Sequence, residues 1–113
     1  MDNLTNLIII QKQVAELLNV EISDVSCWKS EENDIHIHGT IFVKKKPGKG
    51  EKLVVKADLL DAEGRVLYNL KDYSAENLRS VFDSFSMYCS SVNRFFDVQA
   101  IAAIRLYPIL YAK

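Results

Sequence analysis

Two antiparallel sheets packed face to face, with one helix at the front of the chain, are what the sequence predicts, and three observations carry that expectation. Several stretches alternate apolar and polar residues with a period of two, the mark of strands that bury one face. Turn-forming residues, Lys44-Lys-Lys-Pro-Gly-Lys-Gly-Glu51 and Asp61-Ala-Glu-Gly64, separate these stretches at short intervals. Only one segment, near the N-terminus, repeats its apolar residues at helical spacing.

From Thr5 to Asn19 the residues Leu7, Ile10, Val14, Leu17 and Leu18 fall on one helical face, opposite Gln11, Lys12, Gln13 and Glu16. The run Leu7-Ile-Ile-Ile10 suits a strand as easily as a helix because β-branched residues favour extended backbone, so the helix is placed from about Gln11 and the run before it is left open between the two. Val20 to Trp28 alternates, shifts at Ser23-Asp24 and alternates again, which predicts a bulged or broken strand.

The stretch from Asp34 to Lys71 reads as a three-stranded meander. Its first strand sets Ile35, Ile37, Ile41 and Val43 against His36, His38, Thr40 and Phe42. The lysine-rich loop with Pro47-Gly48 is expected to return the chain as a hairpin into Lys52 to Leu60, where Leu53, Val55, Ala57 and Leu59 share a face. Asp61 and Gly64 then suit a tight turn into Arg65 to Lys71.

Beyond the meander, Tyr73 to Phe82 is expected to be a helical turn or loop, and Ser84 to Ser90 a strand with Phe85, Met87 and Cys89 inward. Phe95 and Phe96 fall in a loop. Val98 to Tyr107 is expected to be the last strand, ended by Pro108, which lacks a ladder donor. The expected organisation is a single domain: residues 1–19 as helix or extension, 20–107 as about five or six strands, and 108–113 as a tail.

The chain has 113 residues, of which 49% are hydrophobic and 26% charged, a composition that excludes disorder and a membrane span. Its net charge of −1 gives no global attraction to nucleic acid or acidic lipid. The N-terminus has neither a basic region nor a cleavage signature, so a cytoplasmic protein, or an exported one whose leader is gone, is expected. Cys27 and Cys89 are read as two buried thiols, a disulfide being the alternative.

The segment Val55-Lys-Ala-Asp-Leu-Leu-Asp-Ala-Glu-Gly-Arg-Val-Leu67, the Phe82-x-x-Phe85 region and the closing Ala103-Ile-Arg-Leu-Tyr107 resemble the FxLYD-type, fibronectin-III-like β-sandwich domains of bacteria. Leu60 stands where an aromatic is usual, and the N-terminal helix is not part of that pattern. The resemblance implies a mainly β, antiparallel sandwich of the immunoglobulin-like or fibronectin-III-like class. It also implies an adhesion or accessory module without an active site.

Few residues suggest chemistry. His36 and His38 share a strand face about 7 Å apart, a spacing that some zinc sites use, with Asp58 or Cys89 needed to complete a ligand set. The simpler account is two polar residues on the solvent face of an edge strand. Lys44, Lys45, Lys46 and Lys49 offer a polyanion grip, but lysines also guard sheet edges, and no aromatic residue is interleaved with them for base stacking. Nucleic acid is therefore disfavoured.

No nucleophile elbow, phosphate loop or Cys-x-x-Cys occurs, and the chain is not expected to be an enzyme or to hold a cofactor. Surplus apolar residues, Ile9, Phe95, Phe96, Ile109, Leu110 and Tyr111, mark a protein interface, with self-association into a homodimer as one form of it. The expected role is a non-enzymatic protein-interaction or structural module. The alternative is a small metal-dependent enzyme or ligand-binding domain centred on His36 and His38.

Overall fold

A computed structural model describes residues 2–45, 48, 50–72, 82–90 and 96–112. Among them the chain forms β1 (Asp2–Asn3), β2 (Ile8–Ile10), α1 (Lys12–Leu17), β3 (Val20–Lys29), β4 (Ile35–Val43), β5 (Glu51–Leu60), β6 (Val66–Asp72), β7 (Phe82–Cys89) and β8 (Ala103–Ala112). The strands make two four-stranded sheets, a first sheet ordered β1-β3-β4-β7 and a second ordered β2-β8-β5-β6.

One apolar cluster joins the sheets. Ile35, Ile37 and Ile41 of β4 meet Leu53, Val55 and Leu59 of β5 and Ile104 and Leu106 of β8 in it. Removing such side chains from water is the main stabilising contribution, about 1.5–3 kcal/mol for each fully buried one. Cys27 and Cys89 lie in the same layer as thiols, and burial pushes the Cys27 thiol up to about 12.

The predicted meander is corrected at its first turn. β4 pairs with β3 and β7, whereas β5 pairs with β6 and β8, so the chain crosses from one sheet to the other between Val43 and Glu51. Alternation shows which residues of β4 and β5 face the core, but it is identical whether the two strands lie side by side or in opposing layers. The second turn forms as expected: Gly64 donates its N–H to the Asp61 carbonyl at 3.0 Å with φ +82°, and the Asp61 carboxylate accepts from the N–H groups of Glu63 and Arg65.

The N-terminal segment is split between sheets. β1 runs antiparallel to β3, a 3-10 turn (Thr5–Leu7) crosses the gap, and β2 runs parallel to β8. The Thr5 hydroxyl fixes the crossing by accepting the Cys27 N–H at 3.0 Å and donating to the Cys27 carbonyl at 3.3 Å. The β-branched run before the helix is thus the strand its residues favour. α1 is short, and buries Ala15 but leaves Leu17 81% exposed, so its expected apolar face is only partly used.

Two further expectations are corrected at the C-terminus. Val98–Ala100 is a 3-10 turn rather than strand, with the Asp97 side chain accepting from the Gln99 N–H. β8 then runs straight through Pro108, so Ile109 to Tyr111 is strand and not tail. The Leu106 carbonyl accepts the Gln11 N–H at 2.9 Å, which directs the backbone groups of the even-numbered residues toward β2. β2 pairing stops at Leu106, and Pro108 therefore sits where no ladder donor is required.

β3 carries the expected bulge. Its register against β4 shifts between Ser23 and Ser26, with Asp24 at φ +53°. Opposite the bulge stands Gly39, where an added Cβ would overlap the Phe85 ring, with Cε1 at 2.7 Å, and press on Val25 Cγ2 at 3.1 Å. Phe85 is only 2% exposed and has little room to retreat. Gly39→Ala is therefore expected to lower stability by about 1–3 kcal/mol in denaturant titration, the range for overpacking a filled core; an unchanged midpoint would contradict this packing.

Candidate functional site

The outer face of the first sheet brings four rings together. In β3, β4 and β7 the core takes alternate residues, which turns Trp28, His36, His38 and Tyr88 outward. The register sets Trp28 against His36 and His36 against Tyr88, so three strands deliver one row of rings. The indole lies 7° from the plane of His36 and 18° from that of His38, with centroids 5.2 and 4.9 Å away. Tyr88 closes the row at 5.0 Å from His36.

These rings remain at the surface, with Tyr88 54% exposed. Its hydroxyl donates to the Asp34 carboxylate, which raises the Tyr88 pKa above the usual tyrosine value. Beside the row, Asp24, His38, Thr40, Asp83, Ser84 and Ser86 rim an open concavity of about 610 Å³ above Gly39 and Phe85. Aromatic faces and edges next to carboxylates and hydroxyls can hold a partner by stacking, by cation–π contact and by hydrogen bonds.

His36 and His38 do share this face, as the alternation predicts. The two residues expected to complete a metal site do not join them. Asp58 is in the second sheet, and Cys89 points from β7 into the core, on the opposite side of the first sheet from the imidazoles. Among the described residues no group of three His, Cys, Asp or Glu side chains is placed to hold a metal ion. The edge-strand account of the histidines is also corrected: β4 is an inner strand between β3 and β7.

Of the lysine grip, Lys44 and Lys45 are exposed just beyond β4, while Lys46 and Lys49 lie outside the described residues. The sheet does bring aromatic residues to two other lysines: Tyr107 is in register with Lys56 and Tyr111 with Lys52 on the second sheet. The proposed interface residues do not form one patch. Ile9, Ile109 and Tyr111 belong to the outer side of the second sheet. Leu110 lines a concavity with Leu17, Leu18 and Leu53 at the α1 end, and Phe96 packs against Tyr68 at 5.9 Å. Phe95 lies outside the described residues, as does the segment 73–81.

Sequence reading passed over one polar network entirely. Asp58, 4% exposed, accepts from Arg105 Nε at 3.2 Å and Nη2 at 2.8 Å, from the Tyr107 hydroxyl at 3.1 Å and from the Asn69 amide. Register places Asn69, Asp58 and Arg105 in one row across β6, β5 and β8. Burial by itself raises the Asp58 pKa, but the three donors and the Arg105 charge outweigh it and hold the carboxyl below its usual range. The carboxylate is fully engaged, so the network braces the second sheet rather than offering a free acid or base.

No family model, curated protein or solved structure matches the chain. No helix among the described residues is long and apolar enough to cross a membrane.

The Asp58 network predicts a definite pH dependence. A carboxyl with a lowered folded-state pKa contributes stability above its unfolded value near 3.9, and that contribution is lost as the pH falls through the folded value. Asp58→Ala should remove about 3 kcal/mol at neutral pH, because it strips the partner of an ion pair and two further hydrogen bonds. The gap between native and variant proteins should shrink below about pH 4 in acid titrations followed by circular dichroism. A gap that stayed constant to pH 2 would contradict this role.

Proposed function

We propose that this chain is a non-enzymatic interaction module, a β-sandwich that presents the outer face of its first sheet to a partner. The observation that carries this reading is the outward row of half-buried Trp28 and His36 with exposed His38 and Tyr88, four rings delivered by three strands that otherwise alternate core and surface. A tryptophan and a tyrosine held at the surface in fixed orientation are the residue types that dominate binding energy at protein interfaces. Rings ordered in advance lose little conformational freedom when a partner docks.

The fibronectin-III-like or immunoglobulin-like class is supported by two packed sheets and by the Asp61–Gly64 hairpin. In an immunoglobulin domain the second and third strands lie in opposite sheets. Here β4 and β5, the second and third of the sandwich strands that follow α1, likewise lie in opposite sheets. An accessory or adhesion role without catalysis fits a surface of stacked rings on one sheet and a fully engaged acidic network on the other.

Chemical cross-linking of the protein in extracts of the cells that produce it tests the assignment, with the double variant Trp28→Ser/Tyr88→Ser as comparison. Cross-linked peptides of the native protein should map to β3, β4 and β7, and the variant should lose them while keeping its thermal transition. Cross-links confined to α1 or the second sheet and unchanged in the variant would overturn it.

A further inference from the structure

The two outer faces of the fold are oppositely charged. On the first sheet and its β3–β4 turn, Glu21, Asp24, Glu31 and Glu32 are exposed, Lys29 is turned away into an ion pair with Asp2 at 3.1 Å, and the exposed Lys44 and Lys45 lie beyond the C-terminal end of β4. On the second sheet, Lys52, Lys56, Lys71 and Arg105 occupy outward strand positions, the one carboxylate among those positions, Asp58, is buried under Arg105, Asn69 and Tyr107, and Asp61 and Glu63 in the β5–β6 turn are paired with Arg65. The chain as a whole is nearly neutral, with 15 acidic and 14 basic residues, so the separation lies in their placement and not in their number.

Lys56 and Lys71 make the basic face unusual. They stand directly opposite each other in the β5–β6 register, and neither has an ion-pair partner among the described residues. Like charges at directly opposed positions destabilise a sheet. An acidic surface laid against them would relieve the repulsion.

Apolar character is matched as well. Ile9, 51% exposed, stands in register with Arg105, and Tyr107 and Ile109 continue outward along β8. These residues offer a surface of the kind that the Trp28 and Tyr88 rings can cover. The molecule measures 40 × 26 × 25 Å, broad enough for a sheet face to supply the ~800 Å² per partner of an ordinary stable interface. Sheets packed face to face lie about 10 Å apart, close to the Debye length at 0.1 M salt, so facing charges would still attract.

We infer that the partner of the aromatic face is a second copy of this chain, docked through the basic outer face of its second sheet. The contact is heterologous, because the acidic face of one molecule meets the basic face of the next, and unless the rotation closes a ring it continues as an open series. The inference rests on the first-sheet face being the working surface, and it adds the identity of what covers that face.

Sedimentation velocity with two charge-reversed proteins tests it. The native protein should associate progressively with concentration at about 50 mM salt, and at least tenfold more weakly at about 500 mM. Glu21→Lys/Glu32→Lys and Lys56→Glu/Lys71→Glu should each be monomeric with native circular dichroism. Mixed one to one, they should associate again, because each variant then meets an oppositely charged face on the other. A native protein monomeric at every concentration, or association that persists in both variants, would overturn the proposal. Cross-links from the aromatic face to a different protein, with no self-association, would remove this inference and leave the interaction-module reading standing.

Discussion

The architecture depends on closing one apolar layer between two sheets, neither of which has another cover on its inner side. Ile35, Ile37, Ile41 and Val43 give β4 a continuous apolar edge that its own neighbours cannot bury, and Leu53, Val55, Ala57 and Leu59 do the same for β5. Placing β4 and β5 in opposite layers lets each set bury the other. The crossing after Val43 and the crossing at Thr5 follow from that requirement, and so does the path of β8 along the second sheet to Ala112.

With the inner faces committed to the core, the outer faces are free to differ. On the first sheet the period-two alternation turns rings and hydroxyls outward, and Gly39 with the Ser23–Ser26 bulge leaves the concavity beside them. On the second sheet it turns lysines, tyrosines and the Asp58 network outward. The network anchors Arg105 over a buried carboxylate, so three strands of that sheet are locked by polar contacts that an apolar surface could not supply. One face is thereby acidic and aromatic, the other basic and braced.

Local chemistry was legible in the sequence wherever a residue type has a single structural use. Asp61 and Gly64 marked a real turn, the shift at Ser23-Asp24 marked a real bulge, and Leu7 to Ile10 carried the strand signal that competed with the helix. Pairing was not legible, because alternation fixes a residue's face and leaves the neighbouring strand open. The lysine loop therefore passed for a hairpin, and Asp58 for a neighbour of the histidines. Pro108 misled for a related reason: whether a missing donor matters depends on which side of the strand is vacant. Trp28 and Tyr88 could have been assigned outward from the inward positions of Cys27 and Cys89, but their meeting with His36 and His38 needed the register of three strands.

Acrylamide quenching of the fluorescence of Trp28, the chain's one tryptophan, followed across protein concentration, tests most directly whether the aromatic face is a docking surface for another copy. The account predicts that the quenching constant falls as concentration rises at low salt and recovers when salt is added. A quenching constant independent of both would show that nothing covers the face and would contradict the account.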